Sequence, residues 1–111
     1  MEVAKDIYSI VKKLPREELF ALSDQMRRCA VSIPSNIAEG HERSSSPEFT
    51  KFLSYAQGSR AELETQLLLC IDIDYLKEDE VNPVLYKLHE IGKMINSLTK
   101  SIQPQKLTTD N

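Results

Sequence analysis

Val81-Asn82-Pro83-Val84-Leu85-Tyr86-Lys87-Leu88-His89-Glu90-Ile91-Gly92-Lys93-Met94-Ile95-Asn96-Ser97-Leu98-Thr99-Lys100-Ser101-Ile102 decides the fold. Val81, Val84, Leu88, Ile91, Ile95, Leu98 and Ile102 recur at alternating steps of three and four residues without a miss. Those steps return a side chain to the same side of a helix that turns every ~3.6 residues. The stripe predicts an amphipathic helix over about 80–102 whose apolar seam packs lengthwise on its neighbours. Asn82-Pro83 reads as a start signal, although the pattern itself reaches back to Val81. Pro104 and the polar residues that follow predict a flexible tail over 104–111.

The same rhythm recurs upstream. Phe49, Leu53, Ala56, Leu63, Leu67 and Cys70 mark a third helix over 47–73, with Arg60 on the seam position that the stripe skips. Ser46, Pro47 and Glu48 supply its start: a hydroxyl acceptor, a residue with no N–H to satisfy, and a charge that complements the helix dipole. Leu19, Leu22, Met26, Cys29, Ile33 and Ile37 predict a second helix over 16–40, closed by Gly40, which can take positive φ at low cost. Pro34 lies inside it and is expected to kink it. Val3, Ile7, Ile10 and Leu14 give a first helix over 2–14 that Pro15 ends.

No window alternates with the period of two that a half-buried strand requires. The chain therefore reads as all-α, an antiparallel up-down four-helix bundle spanning 1–103. The first helix is about half as long as the second and third, so it leaves part of the bundle for something else to cover. Phe52, Leu68, Ile71 and Met94 fall beside the main seams, which points to self-association as one way of burying them.

At 111 residues the chain is one domain, and with 41% hydrophobic and 28% charged residues it can form a core. Its longest apolar run, Leu67 to Ile71, is far short of a membrane span. Met1 to Asp6 mixes both charge signs before any apolar stretch, so a cytoplasmic location is expected. The net charge of −3 and pI near 5.4 give no global field for a polyanion. Charge is nevertheless polarised. Residues 27–60 carry Arg27, Arg28, Arg43, Lys51 and Arg60 against three acidic groups, whereas residues 61–80 carry only Lys77 against seven.

Signatures of catalysis are missing. Neither His41 nor His89 follows a Glu by three residues, as a carboxylate-bridged metal bundle requires, so no metal or cofactor is expected. Cys29 and Cys70 form no C-x-x-C pair and read as small buried hydrophobes. The Gly-rich phosphate loops and the Gly-x-Ser-x-Gly elbow are also absent, so the reading is non-catalytic with no small-molecule substrate.

Two segments stand apart from a plain bundle. In Ser32-Ile33-Pro34-Ser35-Asn36-Ile37-Ala38-Glu39-Gly40, the small polar groups can address backbone left open by Pro34. In Gly58-Ser59-Arg60-Ala61-Glu62, a mid-helix Gly costs about 1 kcal/mol against Ala, which suggests close approach of a neighbouring helix. Arg60 is expected to pair with Glu39 or another carboxylate.

The run from Gln25 through Arg27-Arg28 to Gly40, followed by Phe49, Phe52-Leu53, Ala56-Gln57-Gly58-Ser59 and Glu62, resembles the four-helix-bundle proteins encoded in intervening sequences of bacterial 23S ribosomal RNA genes. The likeness extends from about Tyr8 to Ile102. It implies an up-down bundle that assembles as a homopentameric ring. A related branch, the accessory proteins of diversity-generating retroelements, implies contact with nucleic acid or a reverse transcriptase through basic surfaces. By that resemblance Arg27, Arg28, Arg43, Lys51 and Arg60 are candidates for phosphate contact, and the acidic pI departs from that branch. Two classes of function follow: a binding module for RNA, DNA or a nucleic-acid enzyme, and a scaffold whose arginines meet carboxylates such as Glu62 or Glu64 of another copy. The first predicts affinity for structured RNA at low salt, and the second predicts dissociation on charge reversal at Arg27 or Arg28.

Overall fold

The computed structural model describes residues 2–18 and 20–102. It contains α1 (Glu2–Ile10), α2 (Leu22–His41), α3 (Ser46–Asp72) and α4 (Glu78–Ile102), with 3-10 turns at Val11–Lys13 and Arg16–Glu18. Among the described residues there is no strand. The four helices form the expected all-α bundle with neighbours antiparallel. Met26 on α2 faces Cys70 on α3, while Gly40 faces Phe49 and Phe52. On α3 and α4, Gln57 meets Asn96 and Arg60 meets Gly92. Lys13 meets Glu80, and Asp6 meets Lys87, so α1 runs against α4 as well.

The seams supply the core. Val3, Ile7, Ile10 and Leu14 are buried, as are Met26, Cys29 and Ile33, then Leu53, Ala56, Leu63, Leu67 and Cys70, and Val81, Val84, Leu88 and Ile95. Each fully buried Leu or Ile contributes roughly 1.5–3 kcal/mol of transfer free energy. Phe49, Ile91, Leu98 and Ile102 are only partly buried, in a second cluster around Leu53, Ala56 and Ile95. The cause is the length of α1. It fills the corner between α2 and α4 only as far as Val3, beyond which Ile37, Ile91 and Met94 line a shallow groove.

Several helix limits differ from the sequence expectation. The α-helical part of the first segment stops at Ile10, and Val11–Lys13 tightens into a 3-10 turn. The second helix begins at Leu22, not near residue 16, because Arg16–Glu18 forms its own turn and Ala21 (φ −115°, ψ −97°) is not helical. Leu19, the first member of the expected stripe, lies outside the described residues, as does the tail over 104–111. The third helix is capped by Ser45, whose hydroxyl accepts from the Glu48 N–H at 3.3 Å, so Ser46 is already helical. The fourth starts at Glu78, ahead of Asn82-Pro83. There Glu80 accepts from the Lys77 N–H at 2.9 Å, while the Glu80 and Val81 N–H groups donate to the Lys77 carbonyl. α2 continues through Pro34 without a break. Gly40 lies within α2, and no glycine has positive φ, so its role is one of space and not of conformation.

Candidate interaction surface

The two unusual segments meet. The hydroxyls of Ser32 on α2 and Ser59 on α3 share a hydrogen bond of 2.8 Å. Asn36 Nδ2 donates to the Ser32 carbonyl at 2.8 Å and to its hydroxyl at 2.9 Å. These small polar groups join the helices on the turn around Pro34, where the missing N–H leaves the Ala30 carbonyl without its usual helical donor. One helical step further, a Cβ on Gly40 would lie 2.8 Å from Phe52 Cβ and 3.0 Å from Phe49 Cδ1. Gly40 therefore sets how closely α3 approaches α2.

Gly58 does not play that part. A Cβ there would meet no heavy atom within 4 Å, so the expected close approach is absent, and Gly58 faces outward. The second close approach is at Gly92 on α4, where a Cβ would lie 2.9 Å from Arg60 Nε. Arg60 lies across that gap. Its Nε donates to Gln57 Oε1 at 2.5 Å and its terminal nitrogen to Glu64 at 2.5 Å, while Gln57 Nε2 donates to the Gly92 carbonyl at 3.1 Å and to Asn96 Oδ1 at 3.0 Å. Both ionic side chains are only 19% exposed. Arg60 thus pairs with Glu64 of its own helix and not with Glu39, which bonds to Arg43.

The five basic candidates do not form one cluster. Arg27 and Arg28 sit together on α2. The Arg27 guanidinium lies 5.9 Å from the centroid of the Tyr8 ring on α1. Arg28 Nε contacts Asp24 at 3.1 Å, and its side chain is 79% exposed. With Val31 and Ser32 these residues line an open notch of about 360 Å³. Arg43 follows the end of α2, roughly 24 Å along the helix from Arg27 at ~1.5 Å rise per residue, with its guanidinium 4.8 Å from the Phe52 ring centroid. Lys51 is exposed on α3. Arg60 is turned towards α4 and held there.

Neither thiol is tuned for reaction. Burial pushes Cys70 up to about 11, with the Glu18 charge adding to it. Burial also raises Cys29, helped by the Glu62 charge. Both cysteines are free. Beside Cys29, Gln66 Oε1 is buried without a hydrogen-bond partner. Among the described residues, no group of three or more His, Cys, Asp and Glu could hold a metal ion. No helix there is long and apolar enough to cross a membrane.

The sequence reading missed most of one face. Tyr55, Leu68, Leu69 and Ile73 are all between 43% and 50% exposed, on α3 or just past its end. Only Leu68 was singled out from the pattern. The signal that could have found the rest is the apolar run Leu67 to Ile71, which cannot be buried on one side of a helix. Of the other flanking residues, Met94 is exposed, whereas Phe52 covers Gly40 and Ile71 packs on the main core.

Comparison with known proteins follows the same outline. Residues 1–97 match the family model of the 23S rRNA-intervening sequence protein. The chain is similar in structure to a protein of unknown function from the S23 ribosomal protein family of Bacteroides thetaiotaomicron. The two share 30% identity and superpose with a TM-score of 0.82, over 89% of this chain and 93% of that one. A search of curated proteins finds no match.

Proposed function

This chain belongs to the 23S rRNA-intervening sequence protein family, and on that footing we propose that it is a non-catalytic, cytoplasmic interaction bundle that assembles with copies of itself, in the ring of five that the resemblance implies. The observation that carries the reading is the outer face of α3. Large apolar side chains left in water mark surface that contact with another molecule would bury, and α1, α2 and α4 leave Tyr55, Leu68 and Leu69 open. Gly58 lies among them with clear space above it, which lets a second helix come close. Contact between copies is then chiefly apolar. Arg28, Arg43 and Arg60 already have carboxylate partners in their own chain.

The test is mass in solution by light scattering. Leu69→Glu with Tyr55→Glu is expected to reduce an assembly to the 12.7 kDa chain while leaving the helical circular dichroism spectrum intact. An unchanged mass overturns the reading.

A second reading, contact with RNA or DNA or with a reverse transcriptase-like enzyme, is favoured by Arg27 and Arg28 lying together beside the Tyr8 ring. Filter binding to structured RNA at low salt tests it. Retention should be lost in Arg27→Glu with Arg28→Glu, and equal retention by that variant counts against it.

A further inference from the structure

Resting on that nucleic-acid reading, we propose that the notch between α1 and α2 receives one nucleotide of a single-stranded polynucleotide, with the base against Tyr8 and Arg27 and the phosphate at Arg28. The walls supply the chemistry. Tyr8 offers a half-exposed ring, and the Arg27 guanidinium lies over it at 5.9 Å, so a base would stack on the surface that this cation–π pair leaves open, a contact that aromatic and arginine planes make irrespective of base identity. Val31, 41% exposed, gives an apolar wall.

Arg28 supplies the anion contact. Its link to Asp24 engages Nε, one of several N–H donors of the guanidinium, and the side chain is otherwise open to solvent. Asp24 also lines the notch and holds Arg28 Nε, so a phosphate meets Arg28 through the terminal guanidinium nitrogens that Asp24 does not engage. The volume of about 360 Å³ falls in the range of small-ligand sites, near its lower limit. A duplex keeps its bases stacked on each other and cannot present a π-face to Tyr8 without flipping one out. A single strand presents one freely.

The probes are fluorescein-labelled oligouridylate, oligothymidylate and an RNA duplex of equal length, titrated at low salt with the full chain and followed by anisotropy. Single strands are expected to bind more tightly than the duplex. The two single strands separate ribose from deoxyribose as the preferred backbone, and tight binding by either supports the proposal. Tyr8→Ala should weaken single-strand binding about tenfold with the salt dependence unchanged, and Tyr8→Phe should retain it. Arg28→Ala should weaken binding and reduce the salt slope by about 0.7. If Tyr8→Ala binds single strands as the parent does, or the duplex binds as tightly, the notch is not the site, although polynucleotide binding by the arginines stands. If no probe binds, both the notch and the nucleic-acid reading fall.

Discussion

Replacing Gly40 and Gly58 by Ala makes the same chemical change in two helices with opposite expected results. Ala exceeds Gly in helix propensity by about 1 kcal/mol, and this gain is common to both sites to a first approximation. At Gly58 nothing opposes it, since the new methyl meets no atom within 4 Å. Gly58→Ala should therefore raise stability by about 1 kcal/mol in dilute solution. At Gly40 the methyl would lie 2.8 Å from Phe52 Cβ, 3.0 Å from Phe49 Cδ1 and 3.3 Å from the Phe49 carbonyl oxygen. A Cβ and a carbonyl oxygen cannot rotate away, so α3 itself must shift. Overpacking of this kind costs roughly 1–3 kcal/mol. Because the propensity gain largely cancels between the variants, that overpacking cost is the expected difference in their stabilities. Urea unfolding followed by the helical circular dichroism band measures it, at a concentration where light scattering reads a single chain. Thermal midpoints should separate by several degrees, at ~4–8 °C per kcal/mol for a domain of this size. Equal shifts for the two variants, or Gly40→Ala as the more stable, would refute the assignment of Gly40 as the point of closest approach.

Arg60→Ala should destabilise by about 2–3 kcal/mol, since it leaves a largely covered Glu64 carboxylate without its cation; in Arg60→Met with Glu64→Leu most of that loss should be recovered, as read by urea titration. The pH dependence has two limbs. Hydrogen bonding to Lys13, then to the Lys77 N–H, holds Glu80 below the usual carboxylate range, so its stabilisation is present above the unfolded value and lost as pH falls through the folded one. Glu80→Gln should flatten the acid limb of a stability profile. Asp6 first, then Glu2, raises Lys87, so its contribution is complete below the unfolded value and lost as pH rises through the folded one. Lys87→Met should flatten the alkaline limb. Both thiols should resist iodoacetamide at pH ~8, below the ordinary thiol value of about 8.5, and react once urea unfolds the chain, which mass spectrometry reads directly.

Much of this architecture was legible because a seam is a local property. Val81 to Ile102 keeps its steps whether or not a partner is known, and Val3, Ile7, Ile10 and Leu14 are all buried as their spacing predicted. Boundaries were less legible. Arg16–Glu18 forms a 3-10 turn of its own and Ala21 leaves the helical region, neither of which the spacing of apolar residues records. Three successive serines precede Pro47, and only geometry selects Ser45 as the cap. The misreading of Gly58 was avoidable. It lies two residues from the buried Ala56, about 200° around the helix at ~100° per residue, and so on the far side from the core. The candidate site was less legible still. Arg60 on the skipped seam position did mark an inward-turned charge, but its fit over Gly92 depends on register between helices far apart in sequence. The pairing of Tyr8 with Arg27 depends on register in the same way.

The short first helix has a consequence for the protein's slow breathing. Where it lies, every layer has four walls. Past Val3 the layers around Ile95 and Leu53 have three among the described residues, and Ile91, Leu98 and Ile102 are only partly buried there. Partial opening should start there, because amides are released most readily where the fewest apolar contacts must be broken. Deuterium should therefore label the last turns of α4 and the first turns of α3 well before the stretch from Leu63 to Cys70, so that the molecule frays from one pole while the other stays shut.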